Sequence, residues 1–128
     1  MTTEPPSSRH HCLVVFVPET HAEAVLQALG DAGAGRLGPY SHAAFVSRGT
    51  GRFTPLPEAD PAVGEVGRPE QVEEVRIEVL YPAAERERVL QAMGRAHPYE
   101  VPAFATFPVH DRGPSFDEEG RFRAPDGP

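Results

Sequence analysis

The chain has 128 residues, with 12 basic and 19 acidic side chains and a formal net charge of -7 at neutral pH. This length suits one domain, because compact domains most often contain roughly 100–150 residues. The acidic balance and the scattered basic residues exclude nucleic-acid binding through bulk charge, since phosphates are repelled. No apolar run is long enough to cross a bilayer, and the first residues lack the pattern of a secretory signal. We therefore expect a soluble cytoplasmic protein without a membrane partner.

Two residue types restrict the chemistry further. All 12 basic residues are arginine, so the chain has no lysine for a Walker-type phosphate loop or a Schiff base. Cys12 is the single cysteine, which excludes an internal disulfide and a thiolate zinc cluster.

Residues 1–11 and 111–128 are predicted to be flexible tails around one domain spanning residues 12–110. The C-terminal tail is acidic and rich in proline and glycine, and such segments bury too little apolar surface to offset their ordering entropy. It either solubilises the protein or docks a partner. The adjacent His10 and His11 lie at the flexible end and are interpreted as incidental rather than as a metal site.

An internal repeat organises the domain. Residues 18–32, PETHAEAVLQALGDA, align with residues 82–96, PAAERERVLQAMGRA, at a constant offset of 64, and eight of the fifteen positions are identical. Each copy follows an apolar run, Cys12–Val17 in the first and Val75–Tyr81 in the second. Within each copy the apolar residues recur at helical spacing. Each copy is therefore predicted as a strand followed by a helix.

Further strands are predicted at Ala43–Arg48, Arg52–Pro55 and Pro102–Val109. Gly49, Thr50 and Gly51 between the first two are typical of a hairpin turn. The resulting order is two βαβ units, which predicts an α+β fold: a ferredoxin-like sandwich with a four-stranded antiparallel sheet, both helices on one face, and a hairpin excursion. Leu56–Pro69 is predicted to be a long loop, and such loops are more often functional than idle.

Arg76 and Glu78 alternate with apolar residues in the second-copy strand. This alternation places both on the face of the sheet that the helices leave open. They form either an ordinary surface ion pair or part of a cavity between subunits.

The segment from His97 to Pro102, HPYEVP, holds three polar side chains between two prolines that restrict the backbone. His97 and Glu100 could ligate a divalent ion, but further ligands would have to come from His42, Glu78 or a neighbouring subunit. Alternatively, His97 caps the carbonyl groups at the end of its helix. Both interpretations remain open.

No residue pattern makes a strong case for catalysis. Ser41 and His42 are adjacent, but the sequence shows no acid that would orient the imidazole for a nucleophile. No pair of carboxylates stands out as an acid–base couple.

Four motifs in order carry a family resemblance: GAGRLGPY at 33–40, Phe45 with GTGRFTP at 49–55, GEVG at 64–67 with EEVRIE at 73–78, and HPYEVPA at 97–103. Together they resemble the PII-like, CutA-like domain inserted in the bacterial YqfO proteins of the NGG1-interacting-factor-3-like family, and the stand-alone proteins that consist of that insert. The resemblance covers about Leu13 to Val109. It implies a ferredoxin-like fold with a hairpin excursion and association as trimers.

The resemblance does not imply the hydrolase-like chemistry of that family, because the two-metal core that flanks the insert is absent from this chain. The chain departs from the family pattern at three places. Pro39 replaces a common Asn, Ala43–Ala44 replaces Cys-Ser, and Val101 replaces a second Glu. The last two changes remove a soft ligand and an acid from any metal site near His97.

We therefore expect a small homotrimeric binding or regulatory module for a small ligand or a divalent metal ion, rather than an enzyme. The alternatives are an assembly or partner-docking module without a small ligand, and a metal-dependent hydrolase completed across subunits. The cofactor is undetermined, with a divalent metal ion as one option. The predicted ligand-binding residues are Tyr40, Arg76, Glu78 and Tyr99, and the predicted metal ligands are His42, His97 and Glu100.

Overall fold

The computed structural model describes residues 9–112 and 116–122; the parts of the predicted tails at 1–8, 113–115 and 123–128 lie outside the described residues. The described chain contains strands and helices in the order β1 His10–Pro18, α1 Ala22–Asp31, β2 Phe45–Phe53, β3 Glu70–Pro82, α2 Arg86–Ala96 and β4 Phe104–Val109. A single 3-10 turn precedes each helix, at Glu19–His21 and at Ala83–Glu85.

The four strands form one antiparallel sheet in the order β2-β3-β1-β4. One face of β1 and β3 packs against the helices, and the core there consists of Leu13, Val15, Val17, Val75, Ile77, Val79 and Tyr81 from the strands with Val25, Leu29, Val89 and Met93 from the helices. The strand residues alternate and the helix residues recur every fourth position, as burial of one face requires. The predicted ferredoxin-like α+β fold is confirmed.

The sequence repeat is also a structural repeat. Val14, in the middle of β1, pairs with Glu78 of β3, which is the residue 64 positions later. The antiparallel register therefore relates the two copies by an approximate two-fold axis between these residues.

The predicted turn at Gly49–Gly51 is wrong, because β2 runs through these residues as one strand. Gly49 and Gly51 lie opposite Glu74 and Val72 of β3. A side chain on Gly51 would meet the Glu74 carboxylate, so this glycine permits a close approach rather than a reversal. The reversal occurs in residues 54–69, and the first residues of β3, before Glu74, pair with β2 alone. This extended β2–β3 ribbon is the hairpin excursion.

The first and last strands of the described chain, β1 and β4, are neighbours in the sheet. His10 begins β1 two residues before the predicted apolar run, and it pairs with Val109 at the end of β4. His11 is also part of the strand, and its Nδ1 lies 3.3 Å from the Tyr81 hydroxyl.

Residues 116–122 form a local turn closed by a bridge between Phe116 and Phe122. None of the helices within residues 9–112 and 116–122 is long and apolar enough to span a membrane.

Candidate functional site

The helix-free face of the sheet exposes three large aromatic side chains. Phe16 of β1, Phe45 of β2 and Phe107 of β4 are 39%, 65% and 46% exposed. All three belong to the strand positions that point away from the helices, as the register shows. The helix-free face therefore carries apolar side chains, next to Arg76 and Glu78, that the subunit itself leaves uncovered.

A cavity of about 370 Å³ opens beside this face. It lies between β1, β3 and the segment that enters β2, and its lining consists of Cys12, Gly35, Arg36, Leu37, Ala43, Ala44, Phe45, Glu78, Val79 and Leu80. Burial raises the pKa of the Cys12 thiol, and the charge of Glu78 raises it further. Cys12 consequently contributes a protonated, weakly polar wall at neutral pH.

Two of the predicted ligand-binding residues lie on the helix-free face. Arg76 Nη2 is 3.6 Å from Glu78 Oε2, and both side chains remain partly exposed. Glu78 also lines the cavity. An ion pair this exposed contributes little to stability, about 0.2–1 kcal/mol.

Tyr40 is 69% exposed at the end of a tight turn. Leu37 and Tyr40 exchange two backbone hydrogen bonds of 2.9 Å, and Leu37 lines the cavity. The turn thus holds Tyr40 in the segment that borders the cavity.

His97 is buried, 6% exposed, and both its ring nitrogens are occupied by the backbone. Nε2 lies 2.7 Å from the Phe16 carbonyl oxygen, and the Tyr99 backbone N–H donates to Nδ1 over 3.1 Å. Because a carbonyl only accepts and an amide N–H only donates, Nε2 is the donor and Nδ1 the acceptor of these two bonds. The helix carbonyl of Met93 is bonded to the backbone N–H of His97 rather than to its side chain. The side chain therefore ties the end of α2 to β1, which neither predicted role described.

Tyr99 is bonded to a carboxylate that the sequence analysis did not single out. Its hydroxyl donates to Glu74 Oε2 over 3.0 Å, and Glu74 is 8% exposed. Burial, together with the hydrogen bond to Glu74 and its negative charge, raises the pKa of Tyr99 to about 12. The sequence carries no local signal for this pair, because Glu74 and Tyr99 lie 25 positions apart.

Glu100 fixes the long loop. Its Oε1 accepts a hydrogen bond of 3.1 Å from the backbone N–H of Asp60. The loop of residues 54–69 and the turn after α2 border a cavity of about 130 Å³. It is lined by Phe53, Pro55, Ala59, Pro61, Ala62, Val63, Tyr99, Glu100 and Val101. Glu100 thus serves to position the loop against the segment that follows α2.

The structure does not bring the three predicted metal ligands together. His97 is occupied by the backbone, Glu100 by the loop, and His42 by Asp31. Among the residues that the structure describes, no group of three or more His, Cys, Asp or Glu side chains could hold a metal ion.

The expectation that Ser41 and His42 lack an orienting acid is wrong. Asp31, the last residue of α1, places Oδ1 3.0 Å from His42 Nε2, while Nδ1 is 2.9 Å from Ser41 Oγ. Hydrogen bonds from His42 and Gln27 lower the pKa of Asp31, so it is a carboxylate at neutral pH. The acid was missed because it lies 11 residues upstream, on a different element.

The fold is shared with solved structures of the CutA class. The periplasmic divalent cation tolerance protein CutA from Archaeoglobus fulgidus superposes with a TM-score of 0.58 at 17% identity, covering 81% of this chain and 86% of that protein. A Bacillus cereus protein related to NIF3 superposes with a TM-score of 0.70 at 47% identity, covering 87% of this chain and 28% of that protein. The chain therefore has a CutA-like, PII-like fold.

Sequence comparison identifies the particular relatives. The GTP cyclohydrolase 1 type 2 homolog of Bacillus subtilis is 50% identical over 97 residues, which are 76% of this chain and 26% of the relative. That of Mycobacterium tuberculosis is 50% identical over 94 residues, 73% of this chain and 25% of the relative. No family model matches the chain. The chain spans about a quarter of the length of these curated relatives. The chain is thus similar to one segment of these longer NIF3-related proteins, and it has the CutA-like, PII-like fold.

Proposed function

We propose that the chain is a homotrimeric module that binds a small ligand in the clefts between its subunits. We further propose that it does not perform the reaction named in its longer relatives, of which it matches only one segment. The observation that carries the proposal is the apolar helix-free face of the sheet with an open cavity at its border.

Assembly is supported by the three exposed phenylalanines on one face. Burying one such side chain contributes about 1.5–3 kcal/mol, and large apolar patches on a protein surface mark interaction sites. A head-to-tail contact that closes after three subunits would cover this face without leaving a free copy of it.

Ligand binding is supported by the chemistry of the cavity. Leu37, Phe45 and Val79 supply an apolar wall, while Glu78 and Arg36 supply charged groups at the same lining. This combination suits a small molecule with an apolar body and a polar end, and sites of this kind are frequent between subunits. The occupied ring nitrogens of His97 favour such a ligand over a divalent metal ion.

Assembly is tested by the solution mass of Phe107→Glu, because Phe107 lies on the helix-free face directly opposite Cys12. A carboxylate buried in an apolar interface without a partner is strongly destabilising, so this variant is expected to be monomeric where the wild type is a trimer. Leu56→Glu is the matched control, because Leu56 is exposed in the loop and lies outside the sheet. It is expected to keep the wild-type mass. A wild-type monomer would overturn the proposed assembly.

Ligand binding is tested by filling the cavity. Ala44→Trp places a large side chain in the lining. We expect small molecules that copurify with the wild type, released by denaturation and identified by mass spectrometry, to be absent from this variant while its assembly is retained. A trimer that never carries a small molecule would favour the assembly or docking module. Turnover lost on chelation would favour the metal-dependent hydrolase.

A further inference from the structure

Ser41, His42 and Asp31 form a continuous hydrogen-bonded chain at the surface, beside the end of α1. The Asp31 carboxylate only accepts hydrogen bonds, so His42 Nε2 must carry the proton of the 3.0 Å contact between them. In the neutral imidazole, Nδ1 then holds a lone pair that accepts a hydrogen bond from the Ser41 hydroxyl over 2.9 Å. This is the order of acid, imidazole and hydroxyl in which an imidazole acts as a base toward a hydroxyl group.

Two features show that the surrounding fold accommodates this arrangement. His42 has φ +60, and it is the one residue other than glycine with a positive φ in the part of the chain that the structure describes. Its ring occupies the space that a side chain on Gly30 would fill. Glycine weakens a helix interior, yet α1 has one where the imidazole rests. Gly94, at the corresponding position of α2, has no atom in this space.

We propose that Ser41 is a nucleophile, activated by His42 and Asp31, that attacks the carbonyl carbon of activated esters or thioesters. This goes beyond the binding function proposed above. In the step, a bond forms between Ser41 Oγ and the carbonyl carbon while the hydroxyl proton moves to His42 Nδ1. The bond from that carbon to the leaving oxygen or sulfur then breaks. The leaving group departs with the electron pair and takes the proton from Nδ1, and the acyl group stays on Ser41.

The backbone near Ser41 offers a donor for the developing negative charge. The N–H groups of Ser41 and His42 have no hydrogen-bond partner among the bonds formed by residues 9–112 and 116–122. The amide that follows a nucleophilic serine is a usual donor to the oxyanion. From His42 the chain continues directly into Ala43–Phe45, which line the apolar cavity.

The molecule contains its own control. Thr20 Oγ1 lies 2.9 Å from Nδ1 of the next residue, His21, which repeats the local contact between Ser41 and His42. Within the described residues, however, His21 makes no ion pair with a carboxylate. If the carboxylate is needed for activation, Thr20 is not a nucleophile.

The test uses p-nitrophenyl acetate with the full-length wild type and the variants Ser41→Ala, Asp31→Asn and Thr20→Ala. Wild type is expected to release nitrophenolate, in a burst or in repeated turnovers, and peptide mass mapping is expected to find the acetyl group on Ser41. Ser41→Ala loses this release, Asp31→Asn slows it by about tenfold or more, and Thr20→Ala leaves it unchanged. Circular dichroism confirms that each variant is folded.

Either of two results would overturn the proposal. One is nitrophenolate release by folded Ser41→Ala at the wild-type rate, which would place the reaction on other surface groups. The other is an Asp31→Asn variant that reacts as fast as the wild type, which would mean that the carboxylate only holds the loop in place.

Discussion

The two copies of the repeat use the same anchor with different chemistry. After α1, the backbone N–H of Gly35 donates to the Leu80 carbonyl of β3 over 2.7 Å. After α2, His97 Nε2 donates to the Phe16 carbonyl of β1, also over 2.7 Å. Phe16 and Leu80 are 64 positions apart, so they are equivalent residues of the repeat. Each connection thus crosses to the strand of the other copy. There it bonds to the equivalent carbonyl, that of Leu80 in one case and of Phe16 in the other.

The difference between the two connections explains where the polar groups lie. In the first copy a glycine amide makes the anchor, which leaves the histidine of that connection, His42, at the surface with Ser41 and Asp31. In the second copy a histidine side chain makes the anchor and is buried, with Tyr99 bonded to it from the following turn. The comparison teaches that the repeat determines the fold, while the connections after the helices determine the chemistry.

Removing the second anchor is expected to have the largest effect. His97→Ala leaves the Phe16 carbonyl without its donor in a buried site and opens a cavity, so we expect a loss of about 3 kcal/mol in the free energy of unfolding. Urea denaturation at one fixed protein concentration measures it. His42→Ala, at the exposed histidine, is expected to cost less than about 1 kcal/mol. Equal losses in the two variants would contradict the distinction drawn between the connections.

Disturbing the first anchor is expected to cost about 2 kcal/mol. Gly35 has φ +84, and a side chain there would lie 2.6 Å from the Ala43 carbonyl oxygen, so Gly35→Ala combines backbone strain with a backbone clash. Gly49→Ala is the control, because Gly49 lacks a positive φ and has open space around it. Thermal unfolding compares the two variants. A Gly35→Ala protein as stable as Gly49→Ala would show that this anchor is unimportant.

The equivalent helix glycines are expected to respond with opposite signs. Gly94→Ala meets open space and replaces a poor helix former, so it is expected to stabilise the protein by about 0.5–1 kcal/mol. Gly30→Ala would place its methyl group against the His42 ring and displace it, so the same change is expected to give no gain or a loss. Urea denaturation of both variants measures the difference. Similar gains at both positions would mean that His42 is not held against α1.

The smallest expected effect at neutral pH is that of Tyr99→Phe, at about 1 kcal/mol or less. The pKa of Tyr99 is raised from 10.0 to about 12, so the folded state favours the protonated phenol. Its contribution to stability is fully present below about pH 10 and is lost as the pH rises toward about 12. Wild type should therefore lose more stability than Tyr99→Phe between these values. Parallel curves of stability against pH would contradict the bond to Glu74.

The sequence was sufficient for the fold because its signals are local. Alternation in β1 and β3, helical spacing in the two copies and the offset between them define the strands, the helices and their symmetry. Gly49 and Gly51 misled the strand prediction, because β2 runs straight through them and Gly51 makes room for Glu74 on the neighbouring strand. No local pattern distinguishes a glycine that permits such a contact from one that makes a turn.

The candidate sites were harder to predict from the sequence than the fold, because most of their contacts join residues that are distant in the chain. Arg76 and Glu78 were placed on the open face by alternation alone, and the structure has them there. The bonds of His97 to Phe16 and of Tyr99 to Glu74 join residues 81 and 25 positions apart. The bond of His42 to Asp31 depends on one left-handed residue that folds the loop back onto α1. Residue types identified the participants, but only the tertiary structure identifies their partners.

The most direct test of the proposed function is a native mass spectrum of the purified wild-type protein. One measurement reads both the number of chains and any small molecule they retain. We expect the mass of three chains with an added small molecule that is absent once the protein is denatured. The mass of a single chain with nothing bound would contradict the account, because neither the apolar face nor the cavity beside it would then have an occupant.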